Sequence, residues 1–373
     1  MKPVQPTMQP QTAPWVAHGG TDALGVAPFD FSSNANPLPW PEALTQALAG
    51  ADRRHYPAPG YELLREALAS QQGVSAERIV PTAGSSEAIR RLTLMAHLQG
   101  VRTVWVPQPG YGDYAQAALA LGMQVLPCPL GEGAAAVHAG QPVLWWLCDP
   151  LNPTGRLLAP DRVAVLAEHL PSLPEGSVVA LDLAYEPLRM APRDEAAWAP
   201  VWPQVWQLWS PNKALGATGV RAGWLVASQG VQAQALVQRL WQLAPGWVLS
   251  AEGVALLQAC LQPDVQAWLA QSRAQLRLWR DDLQALLKRH GWRVAPTDSH
   301  FLLAQPPAGK PVDVAAWRAH GLKLRDATSL GAAGWWRLSA QGPRALQELE
   351  RQLQAPHRAP QHTATAHEEG ERP

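Results

Sequence analysis

The sequence predicts an α/β protein, with a large unit built on a mainly parallel sheet and a smaller α/β unit after it. Three observations carry that reading. From Arg78 onward, short apolar runs of strand length alternate with helical stretches, the pattern of strands joined by crossover helices. After Trp224 the chain turns helical and closes on a long amphipathic stretch from Val265 to His290, which Gly291 stops. Beyond it short strand-like runs return around one helix. At 373 residues the chain also exceeds the roughly 250–300 at which single cores stop growing, so more than one packed unit is expected.

Taken in order, residues 1–14 are polar with four prolines and are expected to be unstructured. An arm over 15–45 follows. It carries His18-Gly19-Gly20 and then Asp30-Phe-Ser-Ser-Asn34-Ala-Asn36-Pro-Leu-Pro39, an extended and turn-rich composition. Pro41 suits the first position of a helix running through Leu48. The large unit is expected over 46–262. In it a helix spans Tyr61–Gln72, Ile79-Val80 leads into a helix from Ser85 to about Leu98, and Thr103–Val106 is a buried strand. Strands at 124–126, 143–147, 178–181, 205–209 and 224–227 alternate with helices at 161–170, 231–243 and 249–261. The small unit is expected over 263–356. Its strands come at 292–294, 301–303, 322–325 and 334–338, and a polar tail of 357–373 is expected to be disordered.

Composition removes several function classes. Lys plus Arg equals Asp plus Glu at 30 each, with no basic run, which argues against a nucleic-acid partner. Cys128, Cys148 and Cys260 are scattered and odd in number, so a reducing, cytoplasmic setting is expected in place of a disulfide framework. No apolar run approaches the roughly 18 residues of a membrane helix. The eleven histidines include no pair at metal-binding helix spacing, and no metal is expected. Eighteen tryptophans against three phenylalanines read as core filling, not as a binding signature.

The candidate site centres on Ser210-Pro-Asn-Lys213-Ala-Leu-Gly216-Ala-Thr-Gly219-Val-Arg221, a single lysine in a glycine-punctuated turn between two strands. A lysine held at a strand end can be desolvated and kept partly neutral, as an amine must be to attack a carbonyl. A guanidinium eight residues on suits a phosphate. Alone, a loop lysine and arginine are ordinary solvated charges. Their company changes that. Ser85, Tyr111, Asn152, Asp182, Tyr185 and Lys213 all fall just beyond strand ends, where open α/β sheets gather ligands. Gly84-Ser85-Ser86 opens a helix and so offers free N–H groups to an anion. Arg325 and Arg337 stand near strand ends of the smaller unit.

Four motifs in order, Tyr56-Pro, Asn152-Pro-Thr-Gly155, Asp182-x-x-Tyr185 and Lys213 with Arg221, resemble those of the pyridoxal-phosphate aminotransferases of the aspartate-aminotransferase fold. The resemblance spans nearly the whole chain apart from its ends. Within that fold it is similar to the branch of histidinol-phosphate aminotransferases and threonine-phosphate decarboxylases of cobalamin synthesis. The resemblance implies pyridoxal 5′-phosphate held by its aldehyde on Lys213, which also shuttles protons. It implies Asp182 on the pyridine nitrogen, which makes the ring an electron sink. Asn152 and Tyr185 would bond the ring hydroxylate, and Tyr111 would stack on the ring. Gly84, Ser85, Ser86, Ser210 and Arg221 would take the phosphate. Tyr56 would reach the cofactor of the partner in a homodimer with shared sites. Arg337 would clamp the substrate carboxylate, supported by Arg325.

The chain departs from the family at Leu183, where glutamate is common, and at Asn212, where serine is common. It also has Ser86 at a position that is often acidic. His18-Gly19-Gly20, with Asn34-Ala-Asn36-Pro in register behind it, is similar to the arm of the decarboxylase group and would contact a phosphorylated amino-acid substrate. L-threonine O-3-phosphate decarboxylation is the favoured expectation, and a histidinol-phosphate or related aminotransferase is the alternative.

Overall fold

The computed structural model describes residues 18–128 and 140–355. The end segments expected to be unstructured, 1–14 and 357–373, lie outside them. In chain order the elements begin with β1 (Phe29–Asp30), α1 (Glu42–Ala49), α2 (Glu62–Gln72), β2 (Ile79–Thr82), α3 (Ser85–Leu98) and β3 (Thr103–Val106). Next come α4 (Gly112–Leu119), β4 (Gln124–Pro127), β5 (Val143–Cys148), α5 (Pro160–His169), β6 (Val178–Asp182) and α6 (Glu195–Trp198). They continue with β7 (Trp206–Trp209), β8 (Gly223–Val226), α7 (Val231–Leu243), α8 (Ala251–Cys260) and α9 (Pro263–Arg289). The last are β9 (Arg293–Val294), β10 (Phe301–Gln305), α10 (Val314–Ala319), β11 (Leu322–Lys323), β12 (Arg325–Asp326), β13 (Trp336–Ser339) and α11 (Pro343–Gln354).

Seven strands form the main sheet in the order β2-β8-β7-β6-β5-β3-β4. All run parallel except β8, which is antiparallel to both neighbours. The central strands are mainly apolar because helices cover both faces, and every residue of β5 and β6 is buried. Successive side chains of a strand point to opposite faces. Trp146 therefore joins the layer under α3, α4 and α7, with Ile89, Leu92 and Leu240. Trp145 joins the layer under α5, with Trp105, Val163 and Leu166. Among the described residues most tryptophans fill core, as the sequence suggested, whereas Trp40 and Trp247 are exposed. Among the described residues no helix is long and apolar enough to cross a membrane.

The second unit is an antiparallel sheet in the order β12-β13-β10-β9. Its core gathers Leu283, Leu286 and Leu287 of α9 with Trp292, Leu302, Leu338 and Leu349. Pro263 in the first turn and Lys288 and Arg289 in the last suit the two ends of α9. The expected division at 262/263 falls where α9 begins, yet this helix belongs to both cores. Its Val265, Leu269 and Leu276 pack with the large unit.

The structure revises the sequence reading at one strand. The run 322–325, read as one strand, is split: β11 pairs with β1 of the arm, whereas β12 pairs with β13. A short run that changes partners between sheets has no alternation to betray the break. The arm packs against both units. Phe31 is fully buried in the second core, and Asn36 N–H donates to the Lys213 carbonyl at 2.8 Å.

Candidate active site

The parallel strands end on one edge of the main sheet, and β8, being reversed, begins there. Lys213 follows β7 and Arg221 precedes β8, so one loop delivers both cations to that edge. At β2, Gly84 caps α3 with φ +86, and a Cβ there would lie 2.7 Å from Arg221 Nη2. Only glycine lets the guanidinium sit against the first turn of α3. Ala83 N–H donates to Glu87 Oε2 at 3.1 Å, and Arg91 pairs with the same carboxylate, which locks the turn. Ser85, Ser86, Ser210 and Arg221 thus surround a helix N-terminus, an arrangement built for an anion. They line a cleft with Tyr111, Tyr114, Asn152, Asp182, Tyr185, Asn212 and Lys213.

Lys213 reaches that cleft from buried surroundings. Loss of water, and then Arg337 and Arg221, push its amine down to about 8, while Asp182 pulls the other way. The charged form is therefore disfavoured in the folded chain. Its cost is fully present below about pH 8 and is relieved as pH rises through that value toward the unfolded lysine range. Condensation of an aldehyde with the apoprotein is expected to quicken about tenfold per pH unit below about 8 and to level off above it. Stopped-flow absorbance checks this; a rate still climbing past pH 10 would mark an ordinary solvated lysine.

Asp182 is buried at the end of β6. Its Oδ1 accepts from Ala184 N–H at 2.9 Å and its Oδ2 from the Tyr114 hydroxyl at 2.7 Å. Burial raises its pKa, against the pull of Tyr114, Ala184 and Lys213. Tyr185 is pushed up to about 12, chiefly by burial, and its hydroxyl accepts from Asn34 Nδ2 at 3.2 Å. Tyr111 donates to Asp113 Oδ2 at 2.8 Å, and Ser86 Oγ donates to the same atom at 2.6 Å.

The arm closes one side of this site. His18 lies with Nε2 3.7 Å from Asp113 Oδ1 and its ring 5.9 Å from that of Tyr111. Burial lowers its pKa most, Asp113 opposes, and Arg325, Lys213 and Arg337 add to the lowering. Gly19 is held so tightly that a Cβ would meet the Ser32 carbonyl oxygen at 2.0 Å and Arg337 Nη2 at 3.3 Å. Gly20 N–H donates to Ser32 Oγ at 2.9 Å. Arg337 donates from Nη1 to Asn152 Oδ1 at 2.7 Å and from Nη2 to the Ser32 carbonyl at 2.6 Å. Asn152, with its oxygen so engaged, has its amide N–H groups to offer a ligand. Arg325, brought to about 10 by burial and then by Arg337, donates to Ser329 Oγ at 2.7 Å. Two buried polar atoms here, Asn34 Oδ1 and Arg337 Nε, have no hydrogen-bond partner among the described residues. Buried polar atoms are rarely left so unless something else binds them.

Tyr56 does not line that cleft but borders a neighbouring open pocket with Trp247 and Arg221. Its side chain is 76% exposed and stacks on Trp247 at 4.2 Å. Two of the three departures, Leu183 and Asn212, also find their places. Leu183 is buried in the core beside Leu181 and Trp198, where a carboxylate would be unpaired. Asn212 Oδ1 accepts from Ser210 Oγ at 3.1 Å. Sequence reasoning missed Tyr114, Asp113 and His300. His300 is buried and neutral, brought down to about 4 by lost hydration, with Nε2 2.8 Å from the Asn34 carbonyl. A hint existed for Tyr114, which lies three residues beyond Tyr111 and so shares its side of the helix.

A desolvated lysine beside a buried carboxylate and an anion cradle defines an enzyme that carries an aromatic aldehyde cofactor on its own amine. The chain belongs to the class I and II aminotransferase family, whose model matches residues 24–353. It is 28% identical over 335 residues to the histidinol-phosphate aminotransferase of Symbiobacterium thermophilum, covering 87% of this chain and 89% of that one. The L-threonine-O-3-phosphate decarboxylase of Porphyromonas gingivalis shares the fold with TM-score 0.71 and 22% identity, over 87% of this chain and 97% of that one. A Thermus thermophilus aspartate aminotransferase variant does so with TM-score 0.71 and 21% identity, over 86% and 91%.

Pyridoxal 5′-phosphate, the cofactor of this family, fits the residues present. Asp182 is an ionisable partner for its ring nitrogen, the α3 N-terminus with Arg221 matches its phosphate, and Lys213 matches its aldehyde. When bound, it supplies an electron sink for the bond that breaks at the substrate α-carbon.

Proposed function

We propose that the enzyme decarboxylates a phosphorylated amino acid, with L-threonine O-3-phosphate as the substrate and an aminopropanol phosphate as the product. The observation that carries this reading is the seating of His18-Gly19-Gly20 at the cleft, wedged between Ser32, Arg337 and Asp113. His18, Arg325 and Arg337 together give that end more anion contacts than one carboxylate needs. Arg337, held by Asn152 and Ser32, would orient the substrate about its α-carbon so that the carboxylate stands perpendicular to the ring. The Cα–carboxylate bond breaks, carbon dioxide leaves, and Lys213 returns a proton to Cα.

Histidinol-phosphate transamination is the second reading. The identity to histidinol-phosphate aminotransferases along most of the chain favours it. One assay separates the two: each substrate is supplied without a keto acid, and released carbon dioxide is measured beside the cofactor spectrum. Carbon dioxide from threonine phosphate with an unchanged spectrum is expected, reduced at least about tenfold in His18→Ala. Conversion of the cofactor to its amine form by histidinol phosphate, with no carbon dioxide from threonine phosphate, would overturn the decarboxylase reading.

We also propose a homodimer with shared sites. The exposed Tyr56–Trp247 stack supports it, because Trp247 holds φ 51, rare for a bulky side chain, and donates from Nε1 to the Pro57 carbonyl at 3.1 Å. A strained, pinned stack left on an open face suits a group presented to a neighbouring chain.

A further inference from the structure

Tyr114 touches the carboxylate on which the cofactor ring would depend. Its hydroxyl donates to Asp182 Oδ2 at 2.7 Å, and both residues are buried. The ring stacks on Trp146 of β5 at 4.9 Å and 15°, and Tyr111 meets it edge-on at 5.7 Å and 86°. Between those two neighbours the ring has one place to lie, so the hydroxyl is aimed and not merely near. Burial and the Asp182 charge raise its pKa well above that of a free tyrosine, which keeps it a neutral donor. The other oxygen of Asp182 is taken by Ala184 N–H. Each carboxylate oxygen therefore has one protein donor, and acceptor capacity remains for one strong donor from the cleft.

We infer that Tyr114 is a positioning residue that sets the basicity and direction of Asp182, and through it how strongly the bound cofactor's ring withdraws electrons. A donated hydrogen bond stabilises the ionised carboxylate and lowers its hold on a further proton. With the cofactor bound, the proton between Asp182 and the ring nitrogen would then stay mainly on nitrogen, and the ring would keep its positive charge. Without the Tyr114 hydroxyl, Asp182 would bind that proton more tightly, and the ring would withdraw less. The inference rests on the cofactor assignment and is independent of which reaction follows.

Tyr114→Phe holoenzyme tests it by pH titration of the cofactor's visible absorbance, a measurement that needs no substrate. A weaker pull from the ring leaves the Lys213 nitrogen more basic, so the titration midpoint is expected to rise by about one pH unit. That is the scale of one lost charge-assisted hydrogen bond. With substrate, kcat is expected to fall about tenfold with KM within about twofold, because the effect acts on bond breaking and not on substrate contacts. A midpoint within about 0.2 units of wild type in folded, cofactor-loaded protein overturns the inference and reduces Tyr114 to core filling. Should Tyr114→Phe fail to accumulate as holoenzyme, Trp146→Phe keeps the hydroxyl but loosens its stacking partner. It is expected to move the midpoint the same way by less, and an unmoved midpoint there is equally fatal. A wild-type protein that takes up pyridoxal phosphate without any visible titration would instead count against the attachment to Lys213.

Discussion

Lys213→Ala is expected to abolish covalent retention of pyridoxal phosphate and to lower activity by roughly ten-thousand-fold or more. Reduction with borohydride followed by peptide mapping should place the cofactor on Lys213 in wild type and nowhere in the variant. An adduct on Lys288 or Lys323 would show that the central loop has been misread. The loss should not come from unfolding. Lys213 is a desolvated amine whose charged form is disfavoured in the folded apoprotein, so its removal should leave the apoprotein melting temperature unchanged or slightly raised. A variant that loses activity together with several degrees of melting temperature would point to a structural role.

Mixed dimers are expected to regain activity that neither parent has. Lys213→Ala destroys the site built on its own chain but still presents Tyr56. Tyr56→Ala keeps Lys213 but starves the site of its partner. In the mixed dimer, one of the two sites has both groups. Refolding an equimolar mixture should restore about a quarter of wild-type activity if chains pair at random and subunits form a dimer. Activity that stays at the parental level, or sedimentation of a fully active monomer, would remove Tyr56 from the site.

The parts of the site legible in the sequence are those that one strand end and its loop determine. Apolar runs such as Val143–Cys148 name their strands, since helices cover both faces and no polar residue interrupts them. Glycine and proline mark where each run stops, and Asn152, Asp182 and Lys213 stand there. Contacts across the fold were not legible. The Tyr114 to Asp182 bond joins residues 68 apart, on α4 and β6, and nothing local to either one names the other as its partner. His300 looks like any histidine until Asn34 of the arm arrives beside it, 266 residues earlier in the chain. The two-residue pairing of β1 with β11 is too short to carry a period. Trp247 gave no warning of its left-handed backbone, because φ above zero is expected of glycine and asparagine, not of tryptophan.

The shared helix α9 makes the molecule a lever as well as a container. Its 27 residues make a rod about 40 Å long, and its N-terminal half is bolted to the large unit. Arg273 Nη1 donates to the Pro187 carbonyl at 3.0 Å, and Arg277 grips the Met190 carbonyl. The C-terminal half carries the small core, and with it β12 and β13, the strands of Arg325 and Arg337. Tilting such a rod by ~5° about its midpoint would sweep its far end through ~1.7 Å, a shift of the size that costs a hundredfold when reacting groups fall out of line. The stiffness of a helix shared by two cores would thereby set the aim of the two arginines proposed to orient the substrate.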